Sequence, residues 1–174
     1  MIVVLMGVSG VGKTTIGTLL AARTGWKFED ADDDHSQESR RKMAAGIPLT
    51  DADREPWLRT VHERMLQHRE KGENAILACS ALKQQYRELL ADGFAKGEMR
   101  FVYLHAPTSL IKERMKSRRH PYMNADLLDS QLATLEAPSD AWPVTVVGSP
   151  EEAAEEILAR LREAGLIATE VEKP

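Results

Sequence analysis

Gly7, Gly12, Lys13 and Thr14 stand at the spacing G-x-x-x-x-G-K-[ST], the pattern of a loop that wraps phosphate groups. Glycines at 7, 10 and 12 let the backbone turn tightly and aim successive N–H groups at one centre. A helix starting near Lys13 adds the positive end of its dipole at the same point. Lys13 then reaches the β- and γ-phosphates of a nucleotide, and the Thr14 hydroxyl coordinates Mg²⁺. Gly7, Ser9, Gly10, Val11, Gly12, Lys13, Thr14 and Thr15 are the expected nucleotide-binding residues. The pattern speaks for triphosphate binding more directly than for catalysis. A guanine-reading Asn-Lys-x-Asp element does not occur, and 174 residues are too few for a large motor ATPase. A compact phosphotransferase using ATP and Mg²⁺ is the reading that remains.

Asp30-Ala31-Asp32 supplies the complementary chemistry. Residues two apart in an extended segment face the same way, so both carboxylates are expected to look toward the phosphate loop. Two adjacent carboxylates repel unless each has a positive neighbour or a proton to handle. Asp30 is assigned to the Mg²⁺ shell through water, and Asp32 to orienting and deprotonating an attacking hydroxyl. The competing reading is a solvated acidic turn, because Asp33 and Asp34 continue the run.

Cations appear where a helix should be apolar. Arg54 lies three before Trp57 and four before Leu58, on the inward side. Its partner is either a nearby carboxylate, Asp51 or Asp53, or the carboxylate of a substrate held in a bidentate fork. Ser80 is read as a helix cap, followed by Lys83 and Arg87 at i, i+4, which point either to a ligand or to solvent. Arg114, Arg118 and Arg119 lead into His120-Pro121-Tyr122-Met123-Asn124, read as a lid. Arg118 joins Lys13 and Asp32 in the expected catalytic set, stabilising charge on the transferring group. Arg114, on the helix leading to the lid, is placed against the adenine, near Gly148-Ser149-Pro150.

These groups need a frame that brings them to one edge. Near-continuous apolar runs at Ile2–Met6, Ala75–Cys79 and Phe101–His105 read as strands covered on both faces, with weaker runs at Lys27–Asp30 and Val144–Val147. Helical patterns at Thr14–Thr24, Asp51–Lys71, Leu82–Leu90, Leu110–Lys116, Leu127–Leu135 and Glu151–Ala164 separate them. The alternation predicts right-handed crossovers and a three-layer α/β/α fold around a five-stranded parallel sheet, as in P-loop nucleotide-binding proteins. One domain over 1–174 is expected. It carries a two-helix insertion over about 35–72 that covers a substrate, and a lid over about 117–129. Residues 169–174 read as a polar tail.

Bulk properties narrow the ligand classes. The formal net charge of −4 gives no general attraction to nucleic acid or anionic lipid, so an anionic ligand must be captured locally. No apolar stretch approaches the ~20 residues of a membrane helix. Met1–Met6 lacks a basic leader and meets Gly7 at once, which reads as no secretory signal and a cytoplasmic chain. Cys79, the single cysteine, is expected to be a buried thiol.

Together these residues resemble the gluconate kinase (gluconokinase) family, within the shikimate-kinase-like branch of P-loop kinases. The resemblance rests on Met6 to Gly10, Asp30 to Asp33 with His35, Lys42-Met43, and Gly46 to Leu49. It continues through Asp51, Asp53-Arg54, Pro56 to Leu58, Cys79 to Lys83, Tyr86-Arg87, Ser130-Gln131, and Leu135-Glu136 with Pro138. It implies transfer from ATP to the 6-hydroxyl of D-gluconate, commonly in a homodimer. The acceptor would be met by Asp32, His35, Arg54, Lys83, Arg87 and Gln131. Two places depart from the family pattern. His35-Ser36-Gln37-Glu38-Ser39 stands where His-Pro-x-x-Asn is usual, and His120-Pro121-Tyr122-Met123 where Gly-His-Phe-Met is common. Another small hydroxy acid, such as shikimate or a related sugar acid, is the alternative acceptor. A catalytically silent ATP-binding module is the alternative of another class.

Overall fold

Every residue of Ile2–Met6 is buried, and this run forms β1, the central strand of the sheet. The structure, a computed structural model, describes residues 1–117 and 125–168. In chain order the strands are β1, β2 (Lys27–Asp30), β3 (Ala75–Ala78), β4 (Met99–His105) and β5 (Trp142–Thr145). The helices are α1 (Lys13–Thr24), α2 (Gln37–Ala44), α3 (Asp51–Glu70), α4 (Gln84–Ala91), α5 (Thr108–Ser117), α6 (Ala125–Thr134) and α7 (Pro150–Glu163). The strands pair in parallel in the order β2-β3-β1-β4-β5. From β1 the chain runs to one edge of the sheet, and from β3 it crosses to the other side. The carboxyl ends of β1 and β3 therefore border the crevice where such sheets take ligands.

Alternation along β1 splits the core into two layers. Val3 and Leu5 pack with Ile16 and Leu20 of α1 and Ile157 and Leu161 of α7. Ile2, Val4 and Met6 pack with Trp57, Leu58, Val61 and Met65 of α3 and Leu90 of α4. A third cluster, Val8, Leu82, Ile111 and Leu128, lies at the carboxyl edge and joins the phosphate loop to α5 and α6. Gly17 lets α1 lie close to the sheet, since a Cβ there would enter the Phe28 ring.

The fold corrects the sequence reading at particular ends. β4 begins at Met99 because Met99 and Arg100 already pair with Ile2 and Val3. β5 occupies Trp142–Thr145 rather than 144–147, and its Pro143 is tolerated because β5 is an edge strand. Ser80 caps no helix; the N-cap of α4 is Lys83. α2, the unlocated helix of the insertion, has no apolar stripe and is opened by Ser36, whose side chain accepts from the Ser39 amide. No described helix is long and apolar enough to cross a membrane.

α3 begins with a capping box. The Thr50 hydroxyl accepts from the Asp53 amide at 3.2 Å, and the Asp53 carboxylate accepts from the Thr50 amide at 2.9 Å. Lys42 of α2 adds a 2.6 Å bond to Asp53. Lys42 and then Thr50 hold the Asp53 carboxyl at about 2, below its usual 3.8. A depressed carboxyl contributes stability above about pH 4, which is lost as pH falls toward the folded value. Asp53→Asn is expected to flatten the fall in thermal midpoint between about pH 4 and pH 2, measured by circular dichroism. Identical slopes for the two proteins would dissociate Asp53 from acid stability.

Candidate active site

Between β1 and α1 the chain makes three positive-φ turns, at Gly7 (135°), Gly10 (82°) and Gly12 (111°), and Gly12 is the N-cap of α1. Gly7 also lies so close to β4 that a Cβ would meet the Leu104 carbonyl. Lys13 folds over the loop, its Nζ donating to the carbonyls of Gly7 at 3.0 Å and Val8 at 3.1 Å. Desolvation lowers its pKa from the ordinary value, and Asp32 and Asp30 pull it the other way. The cleft beneath the loop is lined by Gly12, Lys13, Thr14, Thr15, Asp30 and Asp32, with Arg114 and Met115 of α5 along one side. Arg114 donates to the carbonyls of Val146 at 3.0 Å and Gly148 at 3.2 Å, which joins α5 to the expected adenine end.

Asp30 and Asp32 both line this cleft, though not as neighbours on an extended strand. β2 ends at Asp30, and Ala31–Asp34 turns as a short 3₁₀ helix. The Asp30 side chain caps that turn, accepting from the Asp32 amide at 3.1 Å, while its other oxygen accepts from the Thr14 hydroxyl at 2.8 Å. Thr14 and Asp30 thus present hard oxygen donors side by side, a chemistry that suits Mg²⁺. Among the described residues there is no group of three or more His, Cys, Asp or Glu able to hold a metal alone.

A second pocket opens on the far side of Lys13 and Asp32, which line both. Its polar wall comes from His35, Arg54, Ser80, Ser130 and Gln131, and its apolar wall includes Met43, Leu49 and Trp57. Trp57 donates from its indole to the Ala31 carbonyl at 2.6 Å and stacks on His35 with centroids 4.2 Å apart. His35 Nε2 then lies 3.7 Å from the Asp32 carboxylate. Gln131 of α6 is tied to the phosphate loop: its carbonyl accepts from the Ser9 amide at 2.7 Å and its amide donates to the Ser9 hydroxyl at 3.1 Å.

Arg54 reaches this pocket without the carboxylate partner its own helix offered. Asp53 is engaged by Thr50 and Lys42, and Asp51 by Lys83, Gln85 and Tyr86. Arg54 instead donates to the Tyr86 hydroxyl at 3.3 Å and sits 5.8 Å from that ring's centre. Lys83 bonds both oxygens of Asp51 at 2.8 Å, holding that carboxyl at about 2, and Lys83 does not line the acceptor-side pocket. Arg87 turns the opposite way, its guanidinium donating to the carbonyls of Ala81 and Leu82. The i, i+4 spacing placed these two cations on one face, but α4 begins after Lys83 and separates their partners. Arg118 and the stretch to Asn124 lie outside the described residues. Ser80, Ser130 and Trp57 carried no local sign of pocket lining in the sequence, beyond the inward phase of Trp57. Cys79, under the site, is buried, and desolvation pushes its thiol up to about 12.

The shikimate kinase family profile matches residues 9–162. The gluconokinase of Gluconobacter oxydans is 44% identical over 158 residues, covering 89% of this chain and 88% of that protein. The chain belongs to the gluconokinase branch of the shikimate kinase family. Solved structures agree with this membership. A gluconokinase from Sinorhizobium meliloti superposes on the family member described here with a TM-score of 0.83 at 40% identity, covering 93% of this chain and 91% of its own. An unliganded sugar kinase from Janibacter sp. gives 0.86 at 44% identity, covering 97% and 98%. As a kinase of this family the chain phosphorylates a hydroxyl group and takes ATP as donor.

For this gluconokinase-family kinase, Lys13→Met keeps side-chain length and removes the charge beneath the loop. ATP affinity is expected to drop at least about tenfold by calorimetry, with the ligand-free melting temperature little changed. Unaltered affinity would place the triphosphate elsewhere.

Proposed function

We propose that this kinase transfers the γ-phosphoryl group of ATP to the 6-hydroxyl of D-gluconate, giving 6-phospho-D-gluconate and ADP. The observation that carries this reading is the shared wall of the two pockets. Lys13 and Asp32 face a nucleotide cleft on one side and, on the other, a polar pocket containing Arg54. A polyhydroxy acid fits that pocket chemically. Arg54 takes the carboxylate, and His35, Ser80, Ser130 and Gln131 meet hydroxyls, while Trp57 and Leu49 pack against the carbon chain. Asp32 accepts the proton of the 6-hydroxyl as its oxygen bonds to the γ-phosphorus and the bond to the bridging oxygen of ADP breaks. Lys13 balances charge on the phosphates and the loop amides orient them. Thr14 and Asp30 would hold Mg²⁺, which supplies charge neutralisation across the β- and γ-phosphates when bound.

The insertion over 35–72 corresponds to α2 and α3, and we assign it the acceptor side of the site: Met43 and Leu49 come from it, as do Arg54 and Trp57. Neither Ser36 nor Ser39, where the chain departs from the family pattern, lines this pocket: their hydroxyls lie 3.1 Å apart within the α2 cap, in a neighbouring cleft that shares Trp57 with it.

Product mass after incubation with ATP, Mg²⁺ and mixed sugar acids is expected to show 6-phosphogluconate as the main species. Asp32→Asn should leave ATP binding near wild type and cut turnover at least about a hundredfold, since the general base is lost. Gluconate turnover no better than background would sink the acceptor assignment. Arg54→Ala is expected to raise the KM for gluconate at least about tenfold with the KM for ATP unchanged, as loss of a charge-assisted pair predicts. An unchanged gluconate KM would return Arg54 to a purely structural contact with Tyr86.

A further inference from the structure

The turn after β3 combines two costly features. Ala81, 1% exposed, has φ 41°, the one positive φ at a non-glycine residue among the described residues. An alanine Cβ crowds the backbone there in a way a glycine would not. Arg87, six residues later, is only 7% exposed and pairs with no carboxylate among the described residues. So buried a guanidinium normally has an anion. Its Nη1 donates instead to Ala81 O at 3.1 Å and Leu82 O at 3.2 Å, both within the strained turn. Its outer edge borders a separate cleft with Glu88, Pro138 and Asp140.

That turn joins the phosphate loop, the acceptor pocket and the segment after α6. The Ser80 carbonyl accepts from the Gly7 amide at 3.2 Å, fixing the first glycine of the phosphate loop, and Ser80 lines the acceptor pocket. The Leu82 carbonyl accepts from the Glu136 amide at 2.9 Å, just past α6. The Glu136 carboxylate in turn accepts from the Gln84 amide at 2.6 Å, at the start of α4. Ser80 is thus followed by a left-handed residue whose own carbonyl and the next are both anchored.

We propose that Arg87 is a positioning residue for the phosphoryl transfer: it holds Ala81 in the left-handed conformation and thereby sets Ser80 between the acceptor and the phosphate loop. It touches neither pocket itself. The proposal rests on the acceptor site assigned above, and its test has one arm that does not.

Arg87→Met keeps a similar apolar stem and removes the donors. Without any ligand, hydrogen exchange in residues 79–83 is expected to quicken at least about tenfold while β1 and α7 keep their protection. In turnover, the KM for gluconate should rise at least about tenfold with ATP affinity within about threefold of wild type. Adding Ala81→Gly should recover at least about threefold of that loss, because glycine adopts the same φ without strain. If Arg87→Met does not fold, Arg87→Lys, which retains one donor, is read by the same measures with a smaller expected effect. Exchange at 79–83 unchanged, or a glycine double variant no better than its parent, overturns the proposal. A wild-type protein inert toward gluconate would instead overturn the acceptor reading, and the exchange arm would still decide what Arg87 does.

Discussion

Negative charge has to be concentrated next to a polyanion here, and the structure depends on how that is made tolerable. Glu29, Asp30, Asp32, Asp33 and Asp34 crowd the end of one edge strand, beside the loop that receives a triphosphate. Like charges this close destabilise a fold unless each is matched. Asp30 is held by the Thr14 hydroxyl and the Asp32 amide. Asp34 and Glu29 share Arg64, at 2.9 and 2.7 Å, and Glu29 also meets His68 at 3.0 Å. Asp34 is pushed up from its usual value chiefly by burial, with Arg64 opposing. Asp32 lines the cleft with Asp30 and lies beside Lys13 and His35. Of these carboxylates, the one proposed to take the proton is the one that borders both pockets.

The cations beside Glu29 and Asp34 both come from α3. Arg54, Trp57, Val61, Arg64 and His68 recur at intervals of three and four, which places them along a single stripe of the helix. Val61 serves the core, Trp57 fixes the Ala31 carbonyl and His35, and Arg64 and His68 neutralise the acidic end of β2. Arg54, at the amino end of the stripe, reaches the acceptor pocket. One helix therefore carries both the cations beside the acidic turn and the arginine of the second pocket. Rotating it by one residue would undo both, and its capping box with the Lys42 bond fixes the start from which the phase is counted.

Legibility in the sequence followed the distance over which each feature is encoded. The phosphate loop was readable because its eight residues are contiguous and its glycines are demanded by backbone geometry at Gly7, Gly10 and Gly12. The parallel sheet was readable because strands covered on both faces need continuous apolar runs. Asp30 and Asp32 were found for a reason the structure replaces: the strand stops at Asp30, whose own side chain turns the chain toward the cleft. Lys83 and Arg87 show the limit. Helical spacing says which residues share a face, but nothing near residue 83 announces that Asp51, thirty-two positions earlier, will claim its ammonium group. Neither Ser130 nor Ser80 carries a local signal of pocket lining, because that lining is decided by how α6 and the β3–α4 turn pack on the phosphate loop.

The acceptor pocket is electrically lopsided, and that lopsidedness bears on selectivity. Arg54 and Lys13 are the cations among its described lining residues, and Lys13 is directed to the loop carbonyls. In the proposed complex Arg54 would meet the acceptor with the Tyr86 hydroxyl and ring beside it. An acid completes its hydrogen bonding, whereas a neutral sugar of equal length leaves a partly desolvated guanidinium short of partners. The penalty for a missing partner exceeds the gain from an added one, because unmet polar groups lose their hydration as well. Shape alone separates sugars differing at one carbon weakly, so the proposed acceptor site would discriminate acid from neutral sugar more sharply than one acid from another. Distinguishing among acids then falls to the neutral hydrogen-bonding groups, Ser80, Ser130 and Gln131, whose placement the β3–α4 turn and α6 govern.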